Sequence, residues 1–223
     1  MTVKDALGKW INVVDHKELS YILNQLNVLY RTRDVSPAPD DVFKAFHACK
    51  YDDCKVVMLG LDPYPQKGVA TGILFGNKAD TVNLSPSLKV ILEAALENGE
   101  ECSPTLEEWA NQGVLMLNTA LTVEVGKIGS HTLLWRPFMK SFVQEYSRTE
   151  TGIIYVLFGK QAQSFKPYIS RLNDVIECEH PAYYARTGTA MPKTLFKEIN
   201  QNLVGRYGIP IKWGHSNVYQ QED

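Results

Sequence analysis

The chain has 223 residues, of which 44% are hydrophobic and 22% charged, with a formal net charge of −2. That composition is long and apolar enough for one large core, and one domain over 1–223 is expected, with a core from about 10 to about 207. No run approaches the roughly 18 consecutive apolar residues of a membrane helix, and the N-terminal MTVKDALGKWINVV lacks a basic, apolar, small-residue export pattern, so no membrane role and no secretion are expected.

In chain order, VSPAPDD at 35–41 reads as a turn leading into a helical pattern, DDVFKAFHACK. Four apolar runs read as strands: KVVML (55–59), GVLMLN (113–118), GIIYVLF (152–158) and DVIECEH (174–180). Helical periodicity lies between and after them. SLKVILEAALENG ends on a glycine stop, and TLEEWANQG opens with a Thr105-x-x-Glu108 capping box. RPFMKSFVQEYSR carries Pro137 in its expected first turn, KQAQSFKPYISRL holds a break at Pro167, and PKTLFKEINQNLVGRYG carries Pro192 in its expected first turn. The C-terminal GHSNVYQQED, about 214–223, reads as a polar surface segment. Strands alternating with helices predict an α/β fold: a three-layer α/β/α arrangement around a central four-stranded, mostly parallel twisted sheet.

Ligands of such sheets bind outside the carboxyl ends of the strands. Those ends hold Asp62, Asn118, Gly159-Lys160 and His180: a carboxylate, an amide, a small polar turn and an imidazole on one rim. Each has a structural reading of its own. Asp62 fits an Asp-Pro turn, Asn118 a backbone-satisfying strand end, His180 a loop histidine and Phe75 a core ring. Only their joint placement favours function. No G-x-x-x-x-G-K-[ST], G-x-G-x-x-G or G-x-S-x-G follows any strand, which demotes nucleotide-binding and serine-hydrolase readings. Cys49, Cys54, Cys102 and Cys178 include no C-x2-C pair, so reduced, mostly buried thiols and no metal are expected. The charge is uneven: residues 1–112 carry 11 basic and 16 acidic groups, and 113–223 carry 12 and 9, so a polyanion would dock largely on the second half.

PDDVFKAF, KVVMLGLDPY, GILF, SPSL, GVLMLNTALTV, GSH, LFGKQAQ and HPA follow one another along the chain. In that order and at about that spacing, from about Trp10 to about Tyr207, the chain resembles the uracil-DNA glycosylases of the first, most widespread class. The resemblance implies a monofunctional enzyme without cofactor that flips uracil from single- or double-stranded DNA and hydrolyses its N-glycosidic bond. By resemblance, Asp62 and His180 are catalytic: an ionised carboxylate stabilises the sugar cation and orients water, and a neutral imidazole donates to uracil O2. Leu61, Tyr64, Phe75 and Asn118 form the uracil pocket, Leu61 through its backbone. Ser85, Ser87, Gly159, Lys160, Ala182, Tyr184 and Arg186 face DNA, with Tyr184 as the wedge that fills the vacated stack.

Two stretches depart from the family. GQDPYH is here GLDPYP, so Pro65 replaces a histidine that helps to position the water; reduced rather than absent activity is expected. HPSPLS is here HPAYYAR, which removes a hydroxyl at Ala182 and puts Tyr184 in place of an aliphatic wedge, while Lys160 replaces a serine. A catalytically weak DNA-binding or replication-scaffold protein, and a preference for a 5-substituted uracil, are the competing readings. The partners implied are uracil-containing DNA, a proteinaceous glycosylase inhibitor and a replication partner. The implied compartment is the cytoplasm in a bacterium or phage, or the nucleus in a eukaryotic or host-directed viral setting.

Overall fold

A computed structural model describes residues 2–216. In chain order the elements are α1 (Val3–Leu7), α2 (His16–Thr32), β1 (Val35–Ser36), α3 (Lys44–Ala48), β2 (Val56–Gly60), α4 (Pro86–Ala95), β3 (Glu100–Glu101), α5 (Glu107–Ala110), β4 (Val114–Asn118), β5 (Val123–Glu124), α6 (Thr132–Thr149), β6 (Ile154–Phe158), α7 (Gly159–Gln163), β7 (Asp174–Cys178), α8 (Pro181–Thr187), α9 (Thr194–Tyr207) and β8 (His215–Ser216).

The four apolar runs form one sheet in the order β4-β2-β6-β7, and all three pairings are parallel. Every residue of β2, β4 and β6 is buried, which is why these strands read as continuous apolar runs rather than as alternation. β7, on the edge, is only partly covered. Helices flank the sheet in an α/β/α arrangement. One hydrophobic cluster binds the layers together. Trp10, Tyr51, Phe142 and Tyr146 pack ring on ring, and the Trp10 indole N–H donates to Cys49 O at 2.8 Å. Elsewhere Trp109, Phe196 and Trp213 form a second aromatic group, and Trp109 Nε1 donates to Trp213 O at 2.7 Å. Because all four strands run the same way, their carboxyl ends share one side of the molecule, where the turns after Gly60, Asn118, Phe158 and Cys178 meet.

Several local expectations are corrected. The Thr105-x-x-Glu108 capping box does not form: α5 begins at Glu107 after Leu106, which sits at φ +59° and is fully buried. A non-glycine residue there costs about 1–2 kcal/mol, and burying a leucine side chain returns about 1.5–3 kcal/mol, so packing wins over capping. Pro137 lies inside α6, which starts five residues earlier than it. The carbonyl left without an amide partner belongs to Leu133, which is 84% exposed and can turn to water. Pro192 precedes α9 rather than entering it. The helical pattern over 40–50 yields only α3 and short turns. At the C-terminus, β8 pairs antiparallel with β3, so His215 and Ser216 are strand rather than tail; residues 217–223 of the expected polar segment lie outside the described residues. Cys49 and Cys54 are buried and Cys102 and Cys178 partly so, all with free thiols.

Candidate active site

The turn after β2, the end of β4 and the start of α8 line a cavity of about 200 Å³. Leu61, Asp62, Tyr64, Phe75, Asn118 and His180 all line it, with Pro65, Ser87, Ile128 and Ala182. The catalytic and pocket residues read from the sequence are thus brought to one place, although they lie up to 119 residues apart.

Asn118 is the last residue of β4, paired in register with Gly60 and only 6% exposed. Its Oδ1 is buried and, among the described residues, meets no donor. An amide oxygen shut away from water without a partner costs about 1–3 kcal/mol, so this atom is set to receive a hydrogen bond from a ligand. Phe75 takes φ +64°, a backbone region that aromatic residues rarely occupy and that concentrates at functional sites. Its ring packs edge-on against Phe158 (5.1 Å) and His180 (5.5 Å). The Tyr64 hydroxyl donates to Phe75 O at 3.0 Å, and Ser36 Oγ donates to Tyr64 O at 2.9 Å, which fixes the tyrosine ring in the wall. Leu61 O is already engaged by Thr119 Oγ1 (2.9 Å) and Ala120 N (3.0 Å).

His180 caps α8: its Nδ1 accepts from Ala182 N at 3.1 Å. A ring whose Nδ1 accepts carries its proton on Nε2, so the imidazole is a neutral donor. Burial pushes its pKa down to about 4, which keeps it neutral above that pH. Asp62 is treated oppositely. Burial raises its carboxyl above the usual range, and the Gly129 N–H, which donates to Oδ2 at 2.5 Å, pulls it back.

The depressed pKa of His180 has a consequence for stability. The unfolded imidazole takes up its proton near pH 6.5 and the folded one only near pH 4, so stability is full above pH 6.5 and is lost as the pH falls through this window, on the order of 3 kcal/mol in all. His180→Asn keeps a capping side chain without the titration. In urea melts at pH 7 and pH 4, wild type is expected to lose that much more stability than the variant. Equal losses would refute the assignment.

The expected DNA-facing residues divide. Ser85, Ser87, Ala182 and Arg186 line a groove of about 710 Å³ that adjoins the cavity and shares Tyr64, Pro65, Ser87, Ile128 and Ala182 with it. Ser85 is held by buried Asn77, whose Oδ1 takes the serine N–H at 2.7 Å and whose Nδ2 donates to the hydroxyl at 2.9 Å. Gly159 and Lys160 line neither space. Gly159, at φ +77°, lies where a Cβ would come 3.0 Å from His180 Cβ, so its lack of a side chain leaves room for the imidazole. The segment after His180 is helix α8, not a loop. With about 100° per residue, Ala182, Ala185 and Arg186 face the groove, whereas Tyr184 packs half-buried on the core. Tyr183, edge-to-face with Tyr184 at 5.4 Å, is the more exposed ring at 41%.

Sequence reading missed the loop from Glu124 to His131, which supplies Ile128 to both spaces and Gly129 to Asp62. The GSH motif lies within it, but no spacing announces a contact spanning 67 residues. Among the described residues, no group of three or more His, Cys, Asp or Glu side chains is gathered as a metal site would require, and no helix is long and apolar enough to cross a membrane.

A family model, the uracil DNA glycosylase superfamily, matches residues 46–204. The uracil-DNA glycosylase of Desulfitobacterium hafniense (strain DSM 10664 / DCB-2) is 35% identical over 189 residues, covering 82% of this chain and 84% of its own. That of Leuconostoc citreum (strain KM20) is 34% identical over 200 residues, covering 88% and 91%. Among solved structures, mimivirus uracil-DNA glycosylase superposes with a TM-score of 0.73 at 19% identity, covering 95% of this chain and 91% of that one. A variant of the mimivirus protein in complex with UGI gives 0.80 at 21% identity, covering 96% and 91%.

Proposed function

Because the chain belongs to the uracil-DNA glycosylase superfamily, we infer that its cavity is the uracil pocket and that Asp62, Asn118 and His180 carry the reaction. The enzyme excises uracil from DNA and acts in DNA repair. The division of labour within the pocket is our reading, and the observation that carries it is the buried, partnerless Asn118 Oδ1 in the same cavity as a neutral imidazole and a desolvated carboxylate.

A base inside a duplex cannot reach such a cavity, so the nucleotide must swing out of the stack. Phe75 offers an aromatic wall for the extruded ring. Asn118 Oδ1 accepts from N3–H and the amide nitrogen donates to O4. Cytosine presents a bare N3 and an amino group at those positions, which leaves buried groups unpaired and rejects it. The Tyr64 ring, held by Phe75 O, stands where thymine carries its methyl group.

The bond between C1′ and N1 then breaks with its electron pair leaving on uracil, and water bonds to C1′ and releases a proton, which balances the charge carried off by the uracil anion. Positive charge on the sugar faces Asp62, and negative charge at O2 faces His180 Nε2–H. Both interactions strengthen as charge develops, which is the condition for lowering the barrier. Among the described residues no lysine lines the cavity to form a Schiff base, so the expected product is an abasic site on an uncut strand.

Outside the pocket, Ser85, Ser87 and Arg186 grip phosphates along the groove, and Tyr183, with Tyr184 behind it, fills the gap left in the stack. We also assign a proteinaceous inhibitor, such as the UGI bound by the mimivirus variants, to this groove, and the compartment that holds the DNA as the site of action.

Single- and double-stranded oligonucleotides with one uracil, incubated with the protein and then treated with alkali, are expected to break at uracil alone. Thymine and cytosine controls stay intact. Tight DNA binding without base release would overturn the reading in favour of a scaffold.

A further inference from the structure

The loop Glu124–His131 is tied to the turn after β2 at two points: Gly126 N donates to Pro65 O at 3.0 Å, and Gly129 N donates to Asp62 Oδ2 at 2.5 Å. The loop is itself braced. Val125 N donates to Asp34 O at 2.8 Å, Glu124 N to Ser130 Oγ at 2.9 Å, and Lys127 pairs with Glu124 at 2.6 Å. Gly129 reaches Asp62 only because it adopts φ +78°. A Cβ there would find nothing closer than Thr132 Oγ1 at 3.7 Å. The position therefore restricts backbone conformation and not side-chain size.

We propose that Gly129 is a positioning residue for hydrolysis: its N–H holds one oxygen of Asp62 so that the other is presented to the attacking water, a task for which Pro65 leaves no side-chain donor. This rests on the reading of Asp62 as the carboxylate that serves the reaction. A carboxylate free to rotate about its last bond would spend much of its time misaligned, and alignment within a fraction of an ångström governs such steps. The same hydrogen bond favours the ionised form. The other titratable groups around Asp62 add little: Tyr64 shares its turn, His180 across the cavity is neutral, Glu124 and Lys127 neutralise each other, Asp34 pairs with Lys67, and His131 is bonded to Thr122. Burial and the Gly129 N–H are what set this carboxyl.

The test exploits the backbone restriction. Asn enters the left-handed region readily and β-branched residues do not. On a uracil-containing oligonucleotide, Gly129→Asn is expected to keep kcat within about threefold, whereas Gly129→Val lowers kcat more than tenfold and leaves KM unchanged. The acid limb of the kcat/KM profile should move to higher pH in Gly129→Val and stay in place in Gly129→Asn. In an Asp62→Asn background, Gly129→Val should cost nothing further, because the two act through one group. If Gly129→Val does not fold, Gly129→Ala carries the same comparison with a smaller shift.

Equal behaviour of the Asn variant and the Val or Ala variant, or a loss of rate with an unmoved acid limb, would overturn the positioning role while leaving Asp62 in place. Unchanged activity in Asp62→Asn itself would overturn both that role and the reading of Asp62.

Discussion

Asp62→Asn is expected to cut the rate of uracil release by roughly a thousandfold while leaving DNA affinity intact, and to make the protein more stable at neutral pH. The rate loss follows from removing a preorganised negative charge from the place where positive charge develops. Asn is nearly isosteric, and its Oδ1 can still accept from Gly129 N, so the turn should hold its shape. The gain in stability follows from the raised pKa. A carboxyl whose folded pKa lies above its unfolded value is disfavoured when ionised, so its penalty is present above the folded pKa and vanishes below the unfolded value of 3.8. The stability advantage of the variant should accordingly be full at pH 7 to 8 and absent below about pH 4. Single-turnover kinetics and thermal melts at the two pH values check both halves. A variant less stable than wild type at pH 8 would contradict the desolvated carboxylate.

Asn118→Leu is the second large effect. Replacing the amide by an apolar group of similar shape removes both hydrogen bonds to the base edge, and kcat/KM for uracil should fall by roughly 10²- to 10³-fold, at about 1–3 kcal/mol for each buried bond. The folded protein, however, is relieved of a buried acceptor without a partner, and its unfolding free energy should rise by about 1–2 kcal/mol. Chemical denaturation and steady-state kinetics on one preparation decide the matter. A fall in stability would mean that Oδ1 already has a partner in the free protein. Activity and stability are thus expected to move in opposite directions at two separate pocket residues, as they do where a site is held ready for a ligand.

The sheet was legible because three of its four strands, β2, β4 and β6, are buried along their whole length and so read as apolar runs up to their ends. The rim was legible for the same reason: Asn118 is the first polar side chain of an apolar run, and Asp62 follows the end of another within two residues. Longer-range features were not. The pairing of Val35–Ser36 with Val123–Glu124 involves two residues on each side, too few for any periodicity. Helix α2 did leave a signal that went unread: Asp15 accepts from Lys17 N and Glu18 N, and Leu19, Ile22 and Leu26 form a buried stripe at helical spacing. Helix α8 is hard to see in the sequence because His180-Pro181 also suits a turn, yet proline suits a first helical position, where no amide hydrogen is needed. The same ambiguity hides which way Tyr184 faces, since the facing of a side chain in a loop has no period while in a helix it turns by about 100° per residue. The contact between Gly129 and Asp62 joins a backbone amide to a side chain, and no residue type signals a backbone amide.

The seating of His180 at the head of α8 ties the place of the imidazole to that of the groove-lining face of the same helix. One short helix carries the imidazole at its head and Arg186 in its last turn, so the cavity and the groove beside it share a single rigid support.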